Sequence, residues 1–176
     1  MKVAEVPFWK TEEIAGRLAE MGHRITEDYA GKRITVIGML QGSFIFMADL
    51  VRHIRRPLEC NFIDRITSNR SSKFTELLFA SRAEVKGADV LLVQDVLDTG
   101  IILSYVRQQI EERGARSIRV AALLDKPACR RIDIKADYVG MQVPDQYFVG
   151  YGLDCDGAFR NLPYLTYITE SSPPPV

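Results

Sequence analysis

The sequence predicts an α/β fold, a mainly parallel sheet covered by helices, on three observations. Residues 33–40 (RITVIGML), 89–93 (DVLLV) and 118–124 (IRVAALL) are nearly continuous apolar runs of strand length, as expected for strands buried on both faces. Segments with helical apolar spacing separate the runs, an alternation that builds parallel sheets through crossover connections. Each run is followed by a short segment of small or polar residues: Gln41-Gly42-Ser43, then Gln94 to Gly100, then Asp125-Lys126-Pro127.

Each element follows in chain order. Ile14, Leu18, Met21 and Ile25 repeat at four, three and four residues, and Glu12 and Glu13 sit in the first turn, where a helix dipole favours anions. An amphipathic helix from Thr11 is predicted. After the first strand and its turn, Phe46, Leu50 and Ile54 resume helical spacing. Residues 62–67 and 74–79 are strand-like and flank the polar stretch 69–73 (NRSSK), which reads as a mobile loop tip. Leu103, Val106 and Ile110 mark one face of a helix that stops at Gly114. Residues 138–168 are rich in Gly, Tyr and Pro and read as an appended lobe of short strands and turns. The tail 171–176 (SSPPPV) is expected to be disordered. Residues 1–170 are therefore expected to form a single domain.

The chain has 176 residues, with 23 Lys+Arg against 23 Asp+Glu and a formal net charge of zero. That length suits one domain with a sizeable core. The balanced charge argues against a coat for nucleic acid or anionic membrane, since both rely on excess Lys and Arg. A small-molecule partner is favoured. Cys60, Cys129 and Cys155 are odd in number and lack metal-ligand spacing, so neither a disulfide frame nor a zinc site is indicated. The first residues carry no apolar signal region, and no run approaches the ~20 apolar residues of a membrane span. A cytoplasmic location is the expectation.

In an open α/β sheet, ligands bind beyond the carboxyl ends of the strands. At the second strand end, Asp95 and Asp98 are followed by Thr99-Gly100, which open a helix whose free N–H groups and positive dipole end suit an anion. Carboxylates beside an anion cradle make sense if they meet other parts of the same molecule: ribose hydroxyls, a bridging Mg²⁺ or a reacting proton. The competing reading is an ordinary strand-to-helix turn capped by Asp or Thr.

Residues 90–100 (VLLVQDVLDTG) resemble the phosphoribosyl-pyrophosphate signature of type I phosphoribosyltransferases. Further matches are GMLQGSF at 38–44, LLDKP at 123–127 with VPD at 143–145, and GYGLD at 150–154 followed by FRNLP at 159–163. With these in order, the chain is similar to the hypoxanthine (hypoxanthine-guanine) phosphoribosyltransferase family from about residue 12 to residue 168. The resemblance implies the type I phosphoribosyltransferase fold: a twisted, mainly parallel sheet flanked by helices, a small C-terminal hood lobe and a flexible lid loop. It implies Mg²⁺-dependent transfer of the 5-phosphoribosyl group from phosphoribosyl pyrophosphate to a 6-oxopurine base, hypoxanthine and/or guanine. The products would be IMP or GMP and pyrophosphate, as in purine salvage, and the assembly a homodimer or homotetramer.

The same resemblance assigns roles. Backbone N–H groups of Thr99, Gly100, Ile101, Ile102 and Leu103, with the Thr99 hydroxyl, would hold the 5'-phosphate. Asp95 would face the ribose hydroxyls directly or through Mg²⁺, and Asp98 is the candidate general base. Lys126 would read the purine O6 and disfavour a 6-amino base. Tyr147 would stack on the purine, and the Phe148 backbone would meet its edge. Asp154, as a metal ligand, and Arg160 would hold Mg²⁺-pyrophosphate, beside Gly42 of the pyrophosphate loop. Ser68 would be the serine of a lid over residues 68–81. Without the motifs, Lys126 reads as a surface charge, Tyr147-Phe148 as core, Asp154 as a turn residue and Asp98 as a cap. His23 and His53 fall in none of them.

Four positions depart from the family pattern. Gln41 stands for a Lys, Asn69 for the lid Tyr, Gln94 for a Glu and Ile102 for a Thr. Backbone N–H groups can hold phosphate whatever residue 102 is, at the loss of one hydroxyl bond of ~1 to 2 kcal/mol. Gln94 can still bond a ribose hydroxyl but brings no charge to a metal. Two alternatives stay open: a weakened paralogue that binds purine nucleotide or phosphoribosyl pyrophosphate as a regulatory module, and a relative preferring xanthine or guanine. With no net positive charge, phosphate binding is expected to rest on helix-end N–H groups, Mg²⁺, Lys126 and Arg160, and so to depend strongly on Mg²⁺.

Overall fold

The structure, a computed structural model, describes residues 2–67, 75–79 and 84–170. Its strands are β1 (Lys2–Val3), β2 (Ile34–Met39), β3 (Leu58–Thr67), β4 (Thr75–Phe79), β5 (Asp89–Leu97), β6 (Ser117–Asp125), β7 (Tyr138–Gln142), β8 (Phe148–Val149) and β9 (Thr166–Glu170). The helices are α1 (Thr11–Asp28), α2 (Phe44–Arg52) and α3 (Ile101–Glu112). The main sheet has the order β4-β3-β2-β5-β6-β7. All neighbours are parallel except the edge strand β4, which runs antiparallel to β3.

Alternation along the central strands sorts the core into two layers. Val36, Leu91, Val93, Ala121 and Leu123 face α1 and α2, which contribute Ile14, Leu18, Met21, Ile25, Phe46 and Leu50. Ile37, Val90, Leu92, Val120 and Ala122 face α3, which contributes Leu103, Val106 and Ile110. Helices on both faces explain why these strands read as continuous apolar runs. Helix α1 begins where the sequence predicts, with Glu13 Oε2 accepting the Lys10 N–H at 2.7 Å. Helix α3 stops at Gly114, whose φ of 83° a side-chain-bearing residue rarely adopts. Ile54 lies beyond the end of α2 yet is buried. No helix of the described residues is long and apolar enough to cross a membrane.

The appended lobe is smaller than expected at one end and larger at the other. Residues 138–142 belong to the main sheet: β7 pairs with β6 from Ala121↔Tyr138 to Asp125↔Gln142. Gly140 is required for this packing, since a Cβ there would lie 2.6 Å from the Leu123 carbonyl oxygen. The hood is a three-stranded antiparallel sheet, β1-β9-β8, so the N-terminal residues contribute a strand that the sequence reading lacks. Phe8 packs edge-on against Phe148 and Tyr167, with ring centroids 5.1 and 6.0 Å away. The loop tip at 69–73, Ser68 and the tail 171–176 lie outside the described residues.

The amino end of the sheet is closed by ion pairs. Asp89, at the start of β5, is 1% exposed and accepts hydrogen bonds from Arg116 Nε at 3.1 Å and Ser117 Oγ at 2.5 Å. The Arg116 hydrogen bond is the main reason its carboxyl is held down to about 2. Nearby, the Tyr138 hydroxyl donates to Asp28 Oδ2 at 2.7 Å and accepts from Arg119 at 2.8 Å. Burial, more than the Asp28 contact, pushes that phenol up to about 12.

Candidate active site

From β2 the chain crosses over α2 to β3 on one side, and from β5 it crosses over α3 to β6 on the other. The loops after β2 and β5 therefore diverge, and such a switch point leaves a crevice at the carboxyl ends of the strands. A cleft of about 420 Å³ lies there, bounded by the loop after β2, the ends of β5 and β6, and the hood. Of the residues singled out from sequence, it brings together Gly42, Asp95, Asp98, Ile102, Lys126, Tyr147, Phe148, Asp154 and Arg160. Thr99, Gly100, Ile101 and Leu103 stand next to this lining, at the start of α3. The Leu103 side chain is fully buried in the core, so only its backbone can serve a ligand.

Strand β5 runs further than its apolar run suggests. It continues to Leu97, so Gln94 and Asp95 belong to the strand and only Asp98 starts the turn. Asp98 is exposed, and Thr99 Oγ1 approaches its Oδ1 at 3.4 Å. The next turn opens α3 through Gly100 at φ 82°. The first intrahelical bond is Ser104 N–H to Gly100 O at 2.9 Å, so the N–H groups of residues 101–103 precede the helical ladder. Asp95 packs against the loop after β2: a Cβ on Gly42 would fall 1.7 Å from Asp95 Oδ2.

At the other wall, Lys126 Nζ donates to Gln146 O at 2.6 Å and lies 3.7 Å from Asp145 Oδ1. Its side chain is largely shielded, with the ammonium 6.0 Å from the centre of the Phe148 ring. This is not the solvated cation that an isolated Lys after a strand would suggest. Tyr147 is 57% exposed and offers an open ring face. Partial desolvation of its hydroxyl, then Cys155 and Asp154 nearby, raise its phenol. Phe148 is buried and belongs to the same apolar cluster as the inward faces of α1 and α2.

Arg160 ties the remaining corner. It donates to Gly152 O at 2.6 Å, pairs with Asp154 Oδ1 at 2.8 Å and reaches Gln41 Oε1 at 3.4 Å. The other Asp154 oxygen accepts the Gly157 N–H at 2.8 Å. Gln41 thus presents an acceptor to the guanidinium, where the family's Lys would present a second cation. Gln94 is 6% exposed; its Nε2 donates to Val96 O at 2.7 Å, and its buried Oε1 has no partner.

The donor set suits Mg²⁺ that arrives with a ligand. Asp95, Asp98 and Asp154 bring carboxylates to one cleft, whereas no three His, Cys, Asp or Glu among the described residues form a metal cage by themselves. Mg²⁺ keeps several waters and takes one or two carboxylates together with phosphate oxygens.

Residues 10–156 match the family described as phosphoribosyl transferase domain. The chain belongs to this family. It is 42% identical over 157 residues to the hypoxanthine-guanine phosphoribosyltransferase of Bacillus subtilis (strain 168), covering 88% of this chain and 87% of that one. The Lactococcus lactis hypoxanthine-guanine phosphoribosyltransferase is 39% identical over 93% of this chain and 91% of its own. Among solved structures, a Bacillus anthracis hypoxanthine-guanine phosphoribosyltransferase with a HEPES molecule in its active site superposes with a TM-score of 0.89 at 32% identity, covering 95% of this chain and 99% of that one. A ternary substrates complex of a mutant Trypanosoma cruzi hypoxanthine phosphoribosyltransferase gives 0.88 at 32% identity, over 94% and 95%. In this phosphoribosyltransferase, Arg130 also stands beside the cleft, bonded to the Leu97 and Asp98 carbonyls, and the sequence reading did not single it out.

Proposed function

We propose that this phosphoribosyltransferase transfers the 5-phosphoribosyl group of phosphoribosyl pyrophosphate to hypoxanthine and/or guanine, giving IMP or GMP and pyrophosphate for purine salvage. The observation that carries this is the convergence, in one cleft, of the loop before α3, the Lys126–Tyr147–Phe148 wall and the Gln41–Asp154–Arg160 corner.

The 5'-phosphate lies on the N–H groups at the start of α3, where the helix dipole favours an anion. The ribose hydroxyls meet Asp95, with Gln94 beside it in the cleft lining. The purine stacks on the open face of Tyr147, its edge against the Phe148 backbone, and Lys126 donates to O6. An ammonium fixed at that point suits an oxo group and opposes the donor face of a 6-amino base. As the C–N bond forms and the pyrophosphate leaves with the electrons of the broken C–O bond, Asp98 takes the proton from the purine imidazole nitrogen. Arg160 and Gly42 border the departing pyrophosphate. Mg²⁺ held by Asp154 and Asp95 would neutralise charge on the phosphates. The same reading expects a cytoplasmic enzyme and a homodimer or homotetramer, which fractionation and light scattering check.

Hypoxanthine, guanine and xanthine are to be assayed spectrophotometrically with phosphoribosyl pyrophosphate and Mg²⁺, for the native chain and Asp98→Asn. Turnover with hypoxanthine or guanine is expected, reduced by about 100-fold or more in the variant. No turnover with any base, while GMP still raises the melting temperature, would instead establish the binding-module alternative. An unchanged rate for Asp98→Asn would remove it as the base.

A further inference from the structure

The side chain of Arg130 stands behind the cleft, in contact with the main chain that carries Asp98. One amino group donates to Leu97 O at 3.1 Å and also to Asp98 O, and the other pairs with Asp125 Oδ1. The guanidinium is 17% exposed and Asp125 11%, so this pair is shielded from water. The following residues continue the contact, since Thr99 O accepts the N–H groups of Arg131 and Ile132 at 3.0 and 3.1 Å. Three successive carbonyls, from Leu97 to Thr99, thus end on one short segment. Lys126 N–H adds a bond to Leu97 O at 2.9 Å. A Cβ on Gly100 would meet Arg130 Cδ at 3.3 Å, so the segment also abuts the turn that opens α3.

We propose that Arg130 is a positioning residue for phosphoribosyl transfer, one that fixes the Asp98 carboxylate and, through the shared Leu97 carbonyl, the start of the Lys126 loop. The inference rests on the reaction proposed above. A planar fork is needed because two carbonyls and a carboxylate lie at different bearings from one side chain, and a Lys ammonium cannot reach them in that fixed plane. The Leu97 carbonyl is also held by the Lys126 N–H and the Thr99 carbonyl by Arg131 and Ile132, so the fork is what holds the Asp98 carbonyl between them, while the Asp98 side chain itself is exposed. Without the fork, the Asp98 carbonyl loses its guanidinium donor, and the peptide that carries the base can tilt between its two held neighbours. Misplacement by an ångström is enough to slow a proton transfer.

The test is a double-mutant cycle on kcat, read with radiolabelled hypoxanthine, over the native chain, Arg130→Lys, Asp98→Asn and the double variant. Arg130→Lys is expected to lower kcat by about 10- to 100-fold in the native background and by less than about 2-fold once Asp98 is Asn. Equal losses in both backgrounds, or none in the native one, would overturn the proposal. If Arg130→Lys does not fold, Asp125→Asn, which keeps the guanidinium but removes its ion pair, enters the same cycle with the same criterion. If neither folds, Arg130 serves the fold rather than the carboxylate, and the proposal falls. Failure of the parent reaction is separate, because the native chain then turns over no base.

Discussion

At the amino end of β5 the carboxylate of Asp89 is enclosed by Arg116, Ser117 and Lys32, whereas at the carboxyl end those of Asp95 and Asp98 line an open cleft. The residue types match and the strand is shared. What differs is the surroundings: three side-chain donors converge on Asp89, but the loops at the other end diverge at the switch point. Saturated charge contributes to stability, and charge facing a cleft is available to a ligand. Substitutions at the two ends should therefore separate stability from turnover.

The largest effect is expected at Gly42→Ala. A methyl group cannot share space with Asp95 Oδ2, so either the loop after β2 or the carboxylate must move, and kcat should fall by about 100-fold or more. Circular dichroism should show the fold intact; a native rate would mean that the contact is irrelevant. Next is Lys126→Ala, which removes a charge-assisted donor of about 1.5 to 3 kcal/mol. The KM for hypoxanthine should rise by roughly 10- to 100-fold, with that for phosphoribosyl pyrophosphate little changed, and equal rises in both would contradict its role at the base.

At the other end the sign reverses. Asp89→Asn should reduce stability by about 1 to 3 kcal/mol in urea unfolding and leave kcat as it was. Its folded carboxyl is held down to about 2, below an ordinary carboxylate near ~3.9. This stabilisation is therefore fully present above the ordinary value and lost as pH falls through about 2. The native chain should lose more stability on acidification across that window than Asp89→Asn does; parallel curves would refute the assignment. The smallest effect is at Ile102→Thr, where one added hydroxyl worth ~1 kcal/mol should lower the KM for phosphoribosyl pyrophosphate by a few-fold.

The helices and central strands were legible because burial on two faces writes itself as uninterrupted apolar runs and regular spacing. Asp98 and Lys126 were singled out only through their motifs, since spacing alone leaves an Asp as a cap and a Lys as a surface charge. Residues 138–142 were misassigned because the Gly, Tyr and Pro content of the whole stretch 138–168 reads as a lobe of short strands and turns, whereas Gly140 is there to pass the Leu123 carbonyl closely. The strand at Lys2–Val3 is too short to carry a pattern. Arg130 was invisible for another reason: two of its three partners are backbone carbonyls, which every residue has, so no side-chain signature marks them. The unpartnered Oε1 of Gln94 likewise depends on which way an amide points.

The hood joins residues from nearly opposite ends of the described chain, because β1 pairs with β9 and Phe8 packs on Phe148. Closing so long a loop is entropically unfavourable until the rest of the sheet holds the ends near one another. The wall that carries Tyr147 and Phe148 should accordingly form late in folding and open first under native conditions. In hydrogen exchange, amides of β8 and β9 should exchange faster than those of β5, and GMP should slow the former more than the latter. Recognition of the base would then be coupled to the last step of assembly, whereas the phosphate end of the cleft would be ready before it.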